Sequence, residues 1–175
     1  MYYWVLPSVD STQAQARRCL AHYGKVPSGL VVWARQQTQG SGQRGRPWVS
    51  DRGGVYMTVV LPMATERVLR TPTHIPEQVA NACQLVVSPY VCSWVKQPND
   101  IMIGDQKLGG VLCESLGTND PAIRMVLIGI GLNINQLSIS IDSRNQAISL
   151  RQATGQSYNE SMFVSEIANE VVKCL

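Results

Sequence analysis

The sequence predicts an α+β fold, with a mixed, largely antiparallel sheet and helices on one face. Three observations predict it. Strand-like apolar runs mostly come in adjacent pairs. Few helical stretches lie between them to act as crossovers. One pair, residues 101–103 and 111–115, flanks a Gly104-Asp105 turn and reads as a hairpin. With 175 residues the chain fits one domain, residues 1–175.

Residues 1–6 read as a short strand, broken by Pro7, Ser8 and Asp10. A helix is predicted from about Ser11 to Tyr23. Asp10, Ser11 or Thr12 can cap it, and Thr12 with Gln15 fits a capping box. Ala16, Cys19, Leu20 and Tyr23 form its apolar stripe, and Gly24 ends it. Residues 30–35 are a strand and residues 36–47 a polar loop. Residues 54–61 are a β-rich strand stopped by Pro62. Residues 65–76 read as irregular, and residues 77–87 as a helix ended by Ser88 and Pro89. A strand follows at 91–96, and after the hairpin a turn at 117–121. Residues 123–135 are a long strand interrupted by Gly129 and Gly131. A loop at 136–145, a short helical piece at 149–153 and a terminal helix at 159–174 complete the chain.

Composition excludes several classes. Hydrophobic residues make up 45% and charged residues 15%, which rules out intrinsic disorder. The longest apolar run is about six residues, far short of a membrane span. Residues 1–6 lack a basic n-region and a long h-region, so no secretory leader is expected. Net charge is +3, from 11 Arg and 4 Lys against the acidic residues, without a basic cluster. No nucleic-acid partner is expected. Cys19, Cys83, Cys92, Cys113 and Cys174 are odd in number and widely spaced. They read as five small buried hydrophobes in a reducing, cytoplasmic setting. With only His22 and His74, a zinc site lacks material.

Three segments hold residues that packing does not require. In residues 36–48, Gly40, Gly42 and Gly45 lie among polar and cationic side chains. Such a loop turns N–H groups and the guanidiniums of Arg44 and Arg46 onto an anion. The glycines match a dinucleotide fingerprint, but Pro47, Trp48 and Val49 follow where a helix must open. A functionless surface loop is the plain alternative. In residues 96–100, Lys96 ends a strand just before a Pro-Asn-Asp turn. A lysine suits the neutralisation of developing charge, while Asn99 and Asp100 are also ordinary turn formers. Residues 107–114 and 129–135 both carry glycines inside strands. That points to a ligand lying across the sheet, or to bulges or close sheet–helix packing. On strand alternation, Asn133 shares a face with Gly131 and Asn135.

Taken in this order, these residues resemble the catalytic domain of biotin–protein ligases. That family carries an Asp-Ser-Thr at the first helix and a Gly-Arg-Gly-Arg-x-Gly-Arg-x-Trp loop. It also carries a Lys-Trp-Pro-Asn-Asp turn, a Lys-Leu-x-Gly-Ile-Leu-x-Glu hairpin and a Gly-Ile-Gly-Ile-Asn strand. This chain has Asp10-Ser11-Thr12 and then residues 40–48, 96–100, 107–114 and 129–133. The match runs from about residue 8 to 160. The departures are specific. The first and second loop arginines are Ser41 and Gln43, with Arg46 at the third and Arg44 at the variable position. The tryptophan of the turn is Gln97, and residues 65–77 read as a shortened equivalent of a long helix. Neither an N-terminal DNA-binding domain nor a C-terminal small β-domain is seen, so operator binding is not expected.

The resemblance implies a class II synthetase-like biotin/lipoate ligase fold. It implies ATP-dependent ligation of biotin to a lysine of the biotin carboxyl carrier domain of acetyl-CoA carboxylase, through biotinyl-5′-AMP. ATP and Mg²⁺ are the implied cofactors. Lys96 is the implied catalytic lysine, standing between the biotin carboxylate and the α-phosphate. Ser11, Thr12 and Gln37 would read the ureido ring, with Gln13, Ser41, Gly42, Gln43, Lys96 and Gly110 completing the biotin site. Arg44, Arg46, Trp48, Asn99 and Asn133 would meet the nucleotide, and Asp100 the magnesium. No membrane partner is implied, and an edge strand could pair two copies into a homodimer. The competing readings are a lipoate–protein ligase or octanoyltransferase of the same architecture, and a catalytically weakened biotin-binding module.

Overall fold

The computed structural model describes residues 1–24, 26–70, 73–139 and 146–175. Its strands are β1 (Tyr2–Leu6), β2 (Leu30–Ala34), β3 (Gly54–Ala64), β4 (Trp94–Lys96), β5 (Asp100–Ile103), β6 (Gln106–Gly117) and β7 (Ile123–Asn133). Its helices are α1 (Thr12–Tyr23), α2 (Thr65–Arg70), α3 (His74–Val87), α4 (Leu150–Thr154) and α5 (Glu160–Cys174). The strands form one sheet in the order β1-β2-β3-β7-β6-β5-β4. Only β1 and β2 run parallel. Every other neighbouring pair is antiparallel, as the paired strands predict.

The helix starts differ from expectation in one informative place. Ser11, not Thr12, caps α1, and its hydroxyl accepts from the Ala14 amide. Thr12 already lies inside the helix and turns its hydroxyl to Gln37 instead of closing a box with Gln15. Ala16, Cys19 and Leu20 are buried as the stripe predicts. Tyr23 is 69% exposed, over a shallow groove lined by Trp4, Val26 and Leu30. Ser149 does build a capping box, with Gln152, at α4.

Pro62 does not stop β3, which runs on to Ala64. The reason is the open edge. The Val60 carbonyl bonds Gly29 on the β2 side, and residues two apart face the same way. The missing N–H of Pro62 therefore points where β2 has already ended, so no ladder bond is lost. The stretch expected to be irregular holds α2 and the first turn of α3. Pro76 fits there because first-turn amides have no helical partner. Residues 71–72 of that stretch, and 140–145 of the predicted 136–145 loop, lie outside the described residues.

Helices cover both faces of the sheet, which corrects the one-sided arrangement. Along β2, β3 and β7 neighbouring residues alternate sides. Val31, Val59 and Ile128 join the core under α3 and α5, with Phe163, Ile167 and Val171. Val32, Val60 and Leu127 join Ala16 and Leu20 of α1 on the other side. Phe163 is fully buried, and truncating it to alanine would cost about 3–5 kcal/mol.

All five cysteines are free. Cys19 and Cys83 are buried and Cys113 and Cys174 partly so, but Cys92 is exposed in the loop before edge strand β4, against expectation. Burial pushes the Cys113 thiol up to about 12 and raises Cys83, Cys174 and Cys19 as well. Such thiols stay protonated and unreactive. Among the described residues no helix is long and apolar enough to cross a membrane.

Candidate active site

α1 covers only part of its face of the sheet. Beside its N-terminus lies a cavity floored by β6 and β7 and roofed by the loop between β2 and β3. The glycines of β7 make room for side chains of the chain itself. A Cβ at Gly129 would sit 2.7 Å from Gln13 Oε1, and one at Gly131 would sit 2.6 Å from the Trp48 indole nitrogen. Close sheet–helix packing thus explains Gly129, and the seating of Trp48 explains Gly131.

Neutral hydrogen-bonding groups build the α1 end. The Gln37 Oε1 accepts from the Thr12 amide at 2.8 Å and from the Thr12 hydroxyl at 3.2 Å. Its Nε2 donates to Ser50 Oγ at 2.8 Å, which donates to the Trp48 carbonyl. Beneath them the hydroxyl of Thr58, fully buried in β3, lies 2.9 Å from Thr12 Oγ1 and 3.1 Å from Gln13 Oε1. Gln13 Nε2 donates to the Leu127 carbonyl. Sequence reasoning missed Thr58, whose signal is the one aliphatic hydroxyl in the run Gly54-Val55-Tyr56-Met57-Thr58-Val59.

The loop closes on itself. The Trp48 amide donates to the Gly40 carbonyl, and Gly42 to the Arg46 carbonyl. A 3₁₀ turn at Gln43–Gly45 forms its tip. Arg44 sits there with φ 60, a left-handed conformation, exposed and away from the cavity. Arg46 lines the cavity, as do Ser41, Gly42 and Gln43.

The opposite end is charged. Lys107 Nζ pairs with Asp100 Oδ1 at 2.5 Å and lies 5.2 Å from the centre of the Trp48 ring. Both partners line the cavity. Lys96 does not. It is exposed on β4, the edge strand, so the lysine expected there is replaced in the cavity by Lys107. The reason is register. β5 pairs Asp100 with Gly110, and a register shift beside Ile101 then aligns Met102 with Lys107, folding that ammonium back onto Asp100. The missed signal is the lysine standing two residues before the Gly109-Gly110 pair. Asn99 lines the cavity but commits its Nδ2 to the Val111 carbonyl, stapling β5 to β6.

Asn133, 3% exposed, ends β7 at the cavity edge. Of the residues singled out from sequence, the structure gathers Ser11, Thr12, Gln13, Gln37, Ser41, Gly42, Gln43, Gly110, Arg46, Trp48, Asn99, Asp100 and Asn133 around one cavity. It leaves Lys96 and Arg44 outside. Among the described residues no three metal-ligating side chains cluster. Asp100 offers a single carboxylate, which suits a magnesium carried mainly by phosphate oxygens and water.

Residues 5–133 match the model of the biotin/lipoate A/B protein ligase family. The chain belongs to that family. Curated relatives include the bifunctional ligase/repressor BirA of Bacillus spizizenii, 32% identical over 91% of this chain and 49% of its own length. The biotin–[acetyl-CoA-carboxylase] ligase of Paracoccus denitrificans is 33% identical over 74% of this chain and 53% of its own. The chain thus spans about half the length of these family members. Among solved structures it is similar to the Aquifex aeolicus biotin protein ligase in complex with biotin and ATP. There the TM-score is 0.82 at 25% identity, covering 99% of this chain and 69% of that one. The Leishmania major biotin protein ligase in complex with biotinyl-5-AMP gives a TM-score of 0.79 at 26% identity, over 99% and 74%.

Proposed function

We propose that this family member ligates biotin, at the expense of ATP, to a lysine of a biotin carboxyl carrier domain through biotinyl-5′-AMP. One observation carries the reading. A single cavity joins a neutral hydrogen-bonding end to a charged end holding Lys107 and Asp100, and Arg46 lines it from the loop. Biotin has a neutral ureido head and an anionic tail, so it spans such a cavity with its carboxylate toward the cations. The similar structures holding biotin with ATP, or biotinyl-5-AMP, support this choice over lipoate or octanoate.

In the proposed first step a biotin carboxylate oxygen bonds to the α-phosphorus of ATP, and the bond from that phosphorus to pyrophosphate breaks. Two anions must meet, and Lys107 is the cation placed to neutralise the encounter. Asp100 aims its ammonium, and Arg46 faces the phosphates. Holding both reactants in line supplies several kcal/mol, since effective molarities reach ~10⁵ M. In the second step the acceptor amine bonds to the biotin carbonyl carbon, AMP leaves and the amine loses a proton. The loop over the cavity excludes water from the anhydride. Asp100 would help hold a Mg²⁺ carried by the triphosphate, which would supply charge neutralisation at the phosphate oxygens. The five unpaired cysteines support a reducing, cytoplasmic setting.

The test mixes the protein with ATP, magnesium and biotin, and in parallel with lipoate or octanoate, and reads acyl-adenylate by mass spectrometry. Biotinyl-AMP alone is the expected result. A lipoyl or octanoyl adenylate alone moves the chain to the other branch of its family. Biotin binding without any adenylate makes it a binding module.

A further inference from the structure

Asn133 is held from behind by a chain of hydrogen bonds that the proposed chemistry does not use. The Tyr56 hydroxyl donates to the Asp51 carbonyl at 2.7 Å. Gln136 Nε2 donates to that same hydroxyl oxygen at 2.7 Å and lies 3.4 Å from Asn133 Oδ1. Asn133 Nδ2 faces the Ile148 carbonyl at 3.3 Å. Tyr56 and Gln136 are 1% and 7% exposed.

The direction of this chain is forced. A main-chain carbonyl can only accept, so the Asp51 carbonyl commits the Tyr56 proton. The Tyr56 oxygen must then accept, and only the NH₂ side of Gln136 can supply the proton. At the far end the Ile148 carbonyl also only accepts, so it takes the NH₂ side of Asn133. Both ends fix the same sense of the Asn133 amide. Burial raises the Tyr56 hydroxyl well above its ordinary range, which keeps its proton in place. Turning Gln136 over would set its carbonyl, unpartnered among the described residues, against Asn133 Oδ1.

An amide free to turn over reads a 6-amino and a 6-oxo purine equally well, because it exchanges donor for acceptor. A locked amide reads one of them. We propose that Gln136, with Tyr56 behind it, is a positioning residue that locks Asn133 and makes the nucleotide site selective for a 6-amino purine. This rests on the ligase reading and on Asn133 meeting the base. Gln136 has no place in the motifs that carried the resemblance, and its signal is burial of an amide beside the cavity.

The experiment compares ATP with ITP as substrates for biotinyl-adenylate formation, as kcat/KM, in the wild-type chain, Gln136→Met and Tyr56→Phe. Melting temperature is recorded for each. The wild type is expected to prefer ATP. Both variants should lose about tenfold of that preference, the worth of one directional hydrogen bond, partly by using ITP better. A purely structural role would lower both substrates together and leave their ratio unchanged, and that result overturns the inference. A wild-type chain that forms adenylate equally from ATP and ITP also overturns it while leaving the ligase reading intact. A wild-type chain that forms no adenylate from either nucleotide overturns both. If Gln136→Met does not fold, Tyr56→Phe decides alone, since it keeps the ring and removes only the hydroxyl that fixes Gln136.

Discussion

At the α1 end of the cavity the polar side chains are neutral and bonded to one another, whereas at the hairpin end they are charged and partly open. Thr12, Gln13, Gln37, Ser50 and Thr58 form one connected set, and Thr58 is fully buried. Lys107 and Asp100 instead keep about a fifth of their side-chain surface exposed, at 19% and 22%. Under the proposed function, the difference follows from what each end would hold. A neutral head exchanges one set of hydrogen bonds for another, so geometry decides its affinity and a pre-set network serves best. Two anions brought together need a cation between them, and an ammonium that can adjust supplies one.

The largest expected effect breaks the charged end alone. Lys107→Met should lower biotinyl-adenylate formation by ~100-fold or more, the usual cost of removing one preorganised charge-stabilising group. Lys96→Met should stay within about twofold, because Lys96 stands on the edge strand outside the cavity. Single-turnover rates at saturating biotin and ATP check both. The reverse order would return the catalytic role to Lys96.

This pair also shows how far the sequence could be read. The glycine–arginine loop, the Pro-Asn-Asp turn and the glycine-bearing strands all reach one cavity, because each motif names backbone that must come close to something. The motifs do not name which lysine comes with them. Lys96 and Lys107 flank the same hairpin, and only the register of β5 on β6 decides which ammonium meets Asp100. Pro62 fails as a stop signal for the same kind of reason, since whether its lost N–H matters depends on where β2 ends. Tyr23 and the side of the sheet taken by α1 were equally hidden, because a helical stripe says that a face is buried but not against what. Local signals were legible, and pairing between distant elements was not.

A smaller effect sharpens the contrast from the neutral end. Thr58→Val keeps the shape of the buried side chain and removes its hydroxyl from between Thr12 and Gln13. The cost should be about 1–2 kcal/mol of stability, since buried partners are left short of a bond. Biotin affinity should fall ~3–10-fold through the disordered network, while ATP affinity holds. Titration calorimetry with each ligand separately distinguishes this from a general loosening, which would weaken both.

The smallest effect concerns the anchor just outside the neutral end. Asp10 receives both guanidinium nitrogens of Arg18 at 2.7 Å, and its carbonyl accepts from the Gln39 amide at 2.8 Å, tying the loop to α1. The hydrogen bond from Arg18 holds the Asp10 carboxyl at about 2, below its ordinary value of 3.8. A carboxyl depressed on folding adds stability that is complete above the unfolded value and drains as pH falls through the folded one. The pair is half-exposed, so its worth is only about 0.5 kcal/mol. Asp10→Asn should therefore cost that much at neutral pH, and the gap from wild type should close between about pH 4 and pH 2. Denaturant melts across that range check it. Biotin affinity should be unaffected, because the main-chain bond to Gln39 survives the substitution. A fall in affinity would mean that the charge outside the neutral end, and not only the network within it, sets the geometry there.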